Sequence, residues 1–220
     1  MKHLSNIKAT ALAILIGIAF TLNTGQARAA STEVLTVAGG CFWCVESDFE
    51  SVPGVKEVIS GYTGGKVASP TYKQVTRGGT GHYEAVQILF DPKKVSREIL
   101  LAKFLRSVDP TDPGGQFCDR GESYRTAVFV ADSREKATAE KVIAKAQSEL
   151  GQKIVTPILG LGKFYPAEAY HQNYYKGSKI VLTRFGPKKQ SKAYKAYRQA
   201  CGRDARVKQL WGSQAAFIGS

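Results

Sequence analysis

Apolar and polar residues alternate along several short stretches of this 220-residue chain. The clearest stretch is Tyr83–Phe90, where Val86, Ile88 and Phe90 alternate with the intervening side chains. A period of two residues is typical of a β-strand with one buried face. Shorter apolar runs predict three more strands, at Val34–Ala38, Val55–Tyr62 and Tyr124–Ala131.

Helical patterns separate these strands. Val45–Ser51 has the mixed polarity of a short helix, which Pro53-Gly54 ends. Ser96 can cap a second helix with one apolar face, formed by Ile99, Leu100, Phe104 and Leu105. The resulting order is β-α-β-β-α-β. It predicts an α+β fold with a ferredoxin-like core, a two-layer sandwich in which two helices cover one face of a sheet.

Further elements follow this core. Asp132 and Glu135 have the spacing of a capping box, and Gly151 would end the helix that they begin. Ile154–Leu159 predicts an additional strand, and Lys192–Tyr197 has a helical pattern. We therefore predict one catalytic domain over residues 30–180 and a basic C-terminal extension over residues 181–220.

The first residues have the pattern of an export signal. Lys2 and Lys8 precede the apolar run Ala11–Leu22, and Ala27-Arg28-Ala29 provides small residues for a signal peptidase. The run is too short to span a bilayer comfortably, although an uncleaved anchor is the alternative. We expect cleavage of residues 1–29, export to an oxidising compartment such as the periplasm, and no stable membrane insertion afterwards.

The composition is strongly basic, with 31 Lys and Arg residues against 18 Asp and Glu residues. Removal of residues 1–29 takes away three basic residues and no acidic one, which lowers the net charge from +13 to +10. Such a charge would suit nucleic acid, but export argues against a nucleic-acid partner. Much of the excess lies within Arg184–Lys208, where a solvated basic face or a preference for anionic surfaces explains it.

The segment Gly39–Cys44 places Cys41 at a strand-to-helix turn. The N-terminus of a helix favours a thiolate, and the thiolate is the nucleophilic form of cysteine. Three other interpretations of these cysteines remain open besides catalysis. They could form structural disulfides, Cys41 and Cys44 could form a redox dithiol, or the cysteines could bind zinc. Cys118 and Cys201 are too far apart in sequence to form a second close pair, so no metal is expected. A Cys–His hydrolase built with His82 would lack a third member.

Several blocks of the sequence resemble the A-type peptide methionine sulfoxide reductases. The similarity runs from about Val34 to Tyr175, and the matching blocks are Gly40–Trp43, Gly61–Gly65, Gly81–Ala85, Asp119–Arg125 and Phe164–Glu168. Ala169 departs from the pattern, because the family usually has an acidic residue there. Enzymes of this class reverse the oxidation of methionine to its sulfoxide.

The resemblance implies a role for each matching residue. Cys41 would attack the sulfoxide sulfur, and Glu84 would give a proton to the sulfoxide oxygen. The polar residues that would assist are Tyr72, Tyr124 and Asp119, and the residues that would form an apolar pocket for the methyl group are Phe42 and Trp43. The substrate would be methionine (S)-sulfoxide, free or in proteins, and the product would be methionine. A disulfide within the chain would then be reduced by a thioredoxin-like donor, without a bound cofactor.

The cysteine that resolves the Cys41 sulfenic acid has two candidates. Cys44 is our hypothesis, because residues three apart at the start of a helix lie on one face. Cys201 is the rival, since other family members use cysteines in a C-terminal tail, and Cys118 is expected to be a bystander. The alternative function is a general dithiol–disulfide oxidoreductase that uses Cys41 and Cys44. A third possibility is a non-catalytic binding domain. We expect the protein to be a monomer.

Overall fold

A six-stranded sheet lies at the centre of the fold, which is given by a computed structural model that describes residues 32–184 and 186–219. The predicted signal peptide lies outside the described residues. In chain order the strands and α-helices are β1 (Glu33–Gly39), α1 (Phe42–Glu50), β2 (Val55–Thr63), α2 (Tyr72–Arg77), β3 (Tyr83–Phe90), α3 (Arg97–Leu105), β4 (Gly115–Gln116), β5 (Asp119–Arg120), β6 (Thr126–Val130), α4 (Ser133–Leu150), β7 (Ile158–Gly160), β8 (Tyr165–Pro166), β9 (Ile180–Thr183), β10 (Gly186–Lys189), α5 (Gln190–Ala200) and α6 (Arg203–Trp211).

The strand order across the sheet is β7-β6-β1-β3-β2-β8. Its four central strands, β6-β1-β3-β2, are antiparallel neighbours, and α1 and α3 lie in the connections between them. This is the spatial order of a ferredoxin-like core, so the predicted α+β fold is confirmed. The register pairs Val37 of β1 with Val86 of β3, and both side chains are fully buried.

The predicted element ends agree with the structure where a capping residue or a strict alternation defined them. Strand β3 has the predicted bounds, and the Ser96 side chain accepts the Ile99 backbone N–H. Asp132 likewise accepts the Glu135 N–H at the start of α4, and Gly151 ends that helix in the left-handed conformation. The Glu135 carboxylate accepts the N–H of Ala131 rather than that of Asp132, so the predicted capping box is only half formed.

Several elements differ from the prediction, including the strand predicted at Tyr124–Ala131, which is the shorter β6. Helix α1 begins at Phe42 rather than Val45, and the strand predicted at Ile154–Leu159 is the shorter β7, which pairs in parallel with β6. Helix α2 was not predicted at all. Its cap is reciprocal, because Thr71 accepts the Gln74 N–H and the Gln74 side chain accepts the Thr71 N–H. That cap places Tyr72 at the first position of α2.

The C-terminal helices pack on the core. Val207 and Trp211 of α6 belong to the same apolar cluster as Phe49 of α1 and Phe104 of α3. The part of the predicted extension that the structure describes therefore contributes to the packing of the predicted catalytic domain. No helix within the described residues is long and apolar enough to cross a membrane.

Candidate active site

Cys41 is the N-cap of α1, directly after β1 and the turn at Gly39-Gly40. Gly40 has φ of 78°, and a Cβ there would lie 2.5 Å from Cβ of Gln116. Only glycine satisfies both conditions, so the turn that presents Cys41 depends on it. The Cys41 carbonyl accepts the Cys44 N–H at 3.1 Å, and both cysteines are buried free thiols.

A cavity of about 60 Å³ lies beside Cys41. The residues that line it are Cys41, Phe42, Trp43, Tyr72, Glu84, Asp119, Tyr124 and Tyr197. The structure thus brings together the side chains that the sequence predicted for the attack on the sulfoxide and for the methyl pocket, and it adds Tyr197. The candidate resolving cysteines Cys44 and Cys201 do not line this cavity. A larger concavity of about 590 Å³ beside Glu50, Glu57 and Lys176 contains neither cysteine.

Glu84 lies on β3, on the face of the sheet that α1 covers, and its side chain is fully buried. Its Oε2 accepts the Phe42 N–H at 3.1 Å, whereas its buried Oε1 has no hydrogen-bond partner among the described residues. Burial, reinforced by the negative charge of Asp119, raises the pKa of Glu84 to about 8. The carboxyl is therefore neutral near pH 7 and can donate a proton to a ligand in the cavity.

Two phenols complete the polar lining. The Tyr72 N–H donates to Oε1 of Glu168 at 2.9 Å, and Tyr124 ends the short 3₁₀ turn Glu122–Tyr124. Burial, and then the nearby Glu84, raise the pKa of both tyrosines above the usual phenol range. Both hydroxyls therefore remain protonated and can donate hydrogen bonds to a polarised oxygen without adding charge.

The other wall of the cavity is aromatic. Trp43 stacks on Tyr174 with 3.9 Å between ring centroids, and Phe42 lies 6.2 Å from Tyr72. His171 packs 5.1 Å from the Phe42 ring and 5.6 Å from the Trp43 ring. Burial lowers the pKa of His171 to about 4, so its ring is neutral. This wall is a surface for a small apolar group.

The two free thiols have opposite electrostatic surroundings. Burial raises the pKa of Cys41, and the hydrogen bond to Cys44 and the charges of Glu84 and Asp119 add to this effect. The expectation that the helix N-terminus makes Cys41 the thiolate is therefore wrong, because desolvation and the hydrogen bond to Cys44, the two largest effects, outweigh a partial helix charge. The pKa of Cys44 is instead lowered, first by the hydrogen bond from Cys41.

Comparison with known proteins agrees with this geometry. The family model described as peptide methionine sulfoxide reductase matches residues 33–214. The chain belongs to this family. The reductase is 48% identical over 189 residues to peptide methionine sulfoxide reductase MsrA 2 of Rhizobium meliloti, covering 86% of this chain and 88% of that protein. It is 47% identical to MsrA 2 of Caulobacter vibrioides, covering 96% and 100% of the two chains.

Solved structures give the same result. The reduced form of Mxr1 from Saccharomyces cerevisiae matches with a TM-score of 0.64 and 30% identity, over 67% of this chain and 86% of that one. Methionine sulfoxide reductase A of Corynebacterium diphtheriae matches with a TM-score of 0.59 and 32% identity, over 66% and 74% of the two chains. The expected family and the expected class of enzyme, an oxidoreductase, are confirmed.

A disulfide of the reductase joins Cys118 to Cys201, and the sequence pattern did not predict it. The expectation that Cys118 is a bystander is therefore wrong. Each cysteine lies close in sequence to a cavity residue, since Cys118 precedes Asp119 and Cys201 follows Tyr197 by one helical turn. The Tyr197 hydroxyl donates a hydrogen bond to Asp119, so the disulfide and this hydrogen bond connect the same two segments. The four-residue spacing of Tyr197 and Cys201 was the one feature of the sequence that could have placed Cys201 near the cavity.

Two other places that the sequence analysis considered, His82 and the position of Ala169, have structural roles in the reductase. His82 accepts the Gly65 N–H at 3.1 Å through Nδ1, and its Nε2 lies 2.8 Å from the Val67 carbonyl, so both nitrogens are engaged in holding a loop. The neighbour of Ala169, Glu168, accepts hydrogen bonds from the Tyr62 hydroxyl and the Tyr72 N–H. The described residues contain no group of three or more His, Cys, Asp or Glu side chains that could hold a metal ion.

Proposed function

We propose that this reductase converts methionine (S)-sulfoxide, free or in proteins, to methionine by nucleophilic attack of Cys41. One observation carries the proposal: the cavity beside the Cys41 thiol contains the unpartnered, buried Oε1 of Glu84, a carboxyl that is neutral near pH 7. A sulfoxide needs both groups at once, because its sulfur becomes electrophilic as its oxygen is protonated.

The first step follows from these positions. Glu84 gives its proton to the sulfoxide oxygen while the Tyr72 and Tyr124 hydroxyls donate hydrogen bonds to the same oxygen. The Cys41 sulfur attacks the sulfoxide sulfur and forms a transient S–S bond, as its thiol proton leaves to restore the Glu84 carboxyl. The sulfoxide S–O bond then breaks and the hydroxyl passes to the Cys41 sulfur, while the S–S bond to the substrate breaks. The products are methionine and the Cys41 sulfenic acid, so the sulfoxide gains two electrons and the cysteine loses two.

The shape of the site supports a preference for one sulfoxide epimer. The methyl group meets the aromatic wall of Phe42 and Trp43, the oxygen meets Glu84, and the sulfur meets Cys41. A sulfoxide sulfur is pyramidal, so with the substrate side chain and the face attacked by Cys41 held in place, the other epimer would direct its oxygen at the rings and its methyl group at the carboxyl. Burial of a methyl group contributes roughly 0.8 kcal/mol, and an unpaired buried oxygen costs about 1–3 kcal/mol more.

We propose that Cys44 resolves the Cys41 sulfenic acid. Cys44 is a free thiol one turn along α1, and its pKa is lowered by the hydrogen bond that links the two sulfurs. Cys201, the rival, is already bonded to Cys118. Attack of the Cys44 sulfur forms the Cys41–Cys44 disulfide and releases water. A thioredoxin-like dithiol then reduces this disulfide and is itself oxidised, which restores the enzyme. A monomer is sufficient, since one chain supplies every lining residue.

We also propose that residues 1–29 direct export and are removed, so that the enzyme works in the periplasm. The supporting pattern is the basic start, the short apolar run and Ala27-Arg28-Ala29. The mass of the protein recovered from a periplasmic extract tests this. The expected N-terminal residue is close to Ala30, and an intact Met1 in a membrane fraction would contradict the proposal.

The test of the activity is methionine release from a blocked methionine sulfoxide with a chemical reductant. We expect turnover of the S epimer by the wild-type protein, little turnover of the R epimer, and none of either by Cys41→Ser. Equal turnover of the two epimers would contradict the proposed geometry. Absence of turnover together with rapid reduction of insulin disulfides would instead favour the general dithiol–disulfide oxidoreductase.

A further inference from the structure

The buried face of α1 carries a carboxylate one turn after Cys44. Cys44 and Asp48 are four residues apart, which puts them on the same face of the helix. Cys44 is 2% exposed and Asp48 is fully buried. Helices α5 and α6 of the C-terminal segment cover this face with two arginines, Arg198 and Arg203.

Arg198 is well paired. Its Nη1 donates to Oδ1 of Asp48 at 2.8 Å and lies 3.1 Å from the Tyr194 hydroxyl oxygen. Its Nε donates to Asp204 at 2.9 Å, and its Nη2 donates to the Phe217 carbonyl at 2.7 Å. This guanidinium therefore has a structural role that accounts for its burial.

Arg203 is poorly paired, although it is only 2% exposed. Its closest carboxylate contact is 3.5 Å, from Nη2 to Oδ2 of Asp48, and its Nη1 lies 3.4 Å from the Gly39 carbonyl oxygen. Its Nε has no hydrogen-bond partner among the described residues, and its guanidinium lies over the Phe117 ring. A buried cation with such long contacts carries a desolvation cost that its partners do not offset.

The charges of this cluster do not balance while Cys44 is neutral. Among the described residues, two buried guanidinium groups share one wholly buried carboxylate, Asp48, because the other carboxylate, Asp204, is 31% exposed. An anion at Cys44 would supply the second buried negative charge. We propose that Arg203, together with Arg198, is the counter-ion of a Cys44 thiolate and thereby prepares Cys44 to attack the oxidised Cys41 sulfur. Arg203 is in this sense a positioning residue.

The other groups around Cys44 do not reverse this balance. The titratable or charged residues that face it from the packed elements are Cys41 and Asp48 on α1, Glu84 on β3, Tyr174 and Tyr175 on the turn after His171, Tyr194, Tyr197 and Arg198 on α5, and Arg203 on α6. The hydrogen bond from Cys41 lowers the pKa of Cys44 most, and the charges of Arg203 and then Arg198 lower it further, against burial and Asp48. Glu84 adds little repulsion while it is neutral.

The inference rests on the proposed function, because it concerns the step in which Cys44 resolves Cys41. The Cys44 thiolate attacks the sulfur of Cys41–S–OH. The new bond is the Cys41–Cys44 disulfide, and the bond that breaks is S–O. The hydroxide that leaves takes up the proton that Cys44 released when it ionised, which gives water. No further oxidant or reductant is needed.

A titration of Cys44 tests the proposal directly. In the Cys41→Ser background Cys44 is the one free thiol among the described residues, because Cys118 and Cys201 are bonded, and the serine hydroxyl can still donate to it. The ultraviolet absorbance of the thiolate then reports its ionisation. We expect a midpoint below the ordinary thiol value of about 8.5 and a rise of about one pH unit with Arg203→Gln.

Two matched variants separate charge from packing. Arg203→Lys retains the positive charge and should restore most of the shift. Arg206→Gln removes another arginine of α6, one that pairs with Asp109 at 2.7 Å, and should leave the midpoint unchanged. A midpoint at or above about 8.5 with Arg203 intact would overturn the proposal even if Arg203→Gln does not fold. An equal shift in Arg206→Gln would also overturn it.

The rate of disulfide formation distinguishes this inference from the proposed function. In a single turnover we expect Arg203→Gln to release its first methionine at the wild-type rate but to form the Cys41–Cys44 disulfide about tenfold more slowly near neutral pH, with recovery at higher pH. If the wild-type protein forms no Cys41–Cys44 disulfide, the proposed role of Cys44 fails. If it forms that disulfide and Arg203→Gln forms it equally fast at every pH, only the role of Arg203 fails.

Discussion

The first turn of α1 separates two regions with opposite electrostatics. The acid side consists of Cys41, Glu84, Asp119, Tyr72 and Tyr124, and the pKa of each of these groups is raised. The cation side consists of Cys44, Asp48, Arg198 and Arg203, where the hydrogen bond from Cys41 and then the two guanidinium charges lower the pKa of the Cys44 thiol. Both regions are buried and lie within one helical turn of each other, so burial alone does not explain the difference.

The comparison shows what a helix N-terminus can and cannot do. Cys41 occupies the N-cap, yet its pKa is raised, whereas Cys44 lies inside the helix and its pKa is lowered. A helix end offers about half a charge, while desolvation and whole charges nearby have larger effects. The groups of the acid side therefore stay protonated and can donate to a substrate oxygen. The groups of the cation side can stabilise the Cys44 thiolate of the resolving step.

The largest expected effect comes from removing the nucleophile of the acid side. Cys41→Ser should lower the rate of methionine formation by about a thousandfold or more, because a serine hydroxyl is far less nucleophilic towards sulfur. Steady-state release of methionine from the S epimer measures this. Cys44→Ser is the matched control on the cation side, and it should still release one methionine per protein. Loss of that first methionine would place Cys44 in the first step.

The next effect comes from the acid itself. Glu84→Gln should lower the rate of the first turnover by about 10²–10⁴, because the amide cannot give a proton to the sulfoxide oxygen. In the wild type this rate should fall as the pH rises through about 8, where Glu84 loses its proton. Glu57→Gln, at an exposed site on β2, is the control and should leave the profile unchanged. A profile that stays flat well above pH 8 would remove Glu84 from the role of acid.

A smaller effect is expected from the phenols of the acid side. The double variant of Tyr72→Phe and Tyr124→Phe should lower the first-turnover rate by about 10- to 100-fold, since two donors to the developing oxygen charge are lost. The aromatic packing is retained, so the loss should fall on the rate constant rather than on substrate affinity. A change confined to affinity would show that these hydroxyls only bind the substrate.

The disulfide should matter more for stability than for chemistry. Replacement of both Cys118 and Cys201 by serine should lower the free energy of unfolding by about 2–4 kcal/mol, because the link constrains a long loop in the unfolded chain. Methionine formation should change only a few-fold, through looser placement of Asp119 and Tyr197. Denaturant unfolding and single-turnover rates measure the two effects. A loss of activity as large as that of Cys41→Ser would give this pair a direct chemical role.

The smallest expected effect is a gain of stability from Glu84→Gln. The folded state raises the pKa of Glu84 to about 8 from 4.5, so it retains a proton that the unfolded chain loses. Wild-type stability therefore falls as the pH rises between these values, and the neutral amide avoids this loss. At pH 7 the variant should be more stable by about 1–3 kcal/mol, and the gain should vanish below about pH 4. A gain that persists in acid would point to packing instead.

The acid side was predictable from the sequence and the cation side was not. Alternation defined β3 and so the placement of Glu84, and the resemblance to the family supplied partners for Cys41. Helix α2 was missed although Thr71 and Gln74 have capping-box character, because the many glycines nearby favour a loop. The basic residues of the C-terminal segment suggested a solvated face. Only tertiary packing shows that Arg198 and Arg203 are buried under α1.

The most direct test of the account is the mapping of disulfides by mass after one turnover. The starting protein has reduced Cys41 and Cys44 and an intact Cys118–Cys201 bond, and it receives a blocked methionine (S)-sulfoxide without a reductant. We expect one methionine per protein, a new Cys41–Cys44 link and an unchanged Cys118–Cys201 link. A link from Cys41 to Cys201 or Cys118 would contradict the account, in which Cys41 of the acid side attacks the substrate and Cys44 of the cation side resolves the sulfenic acid.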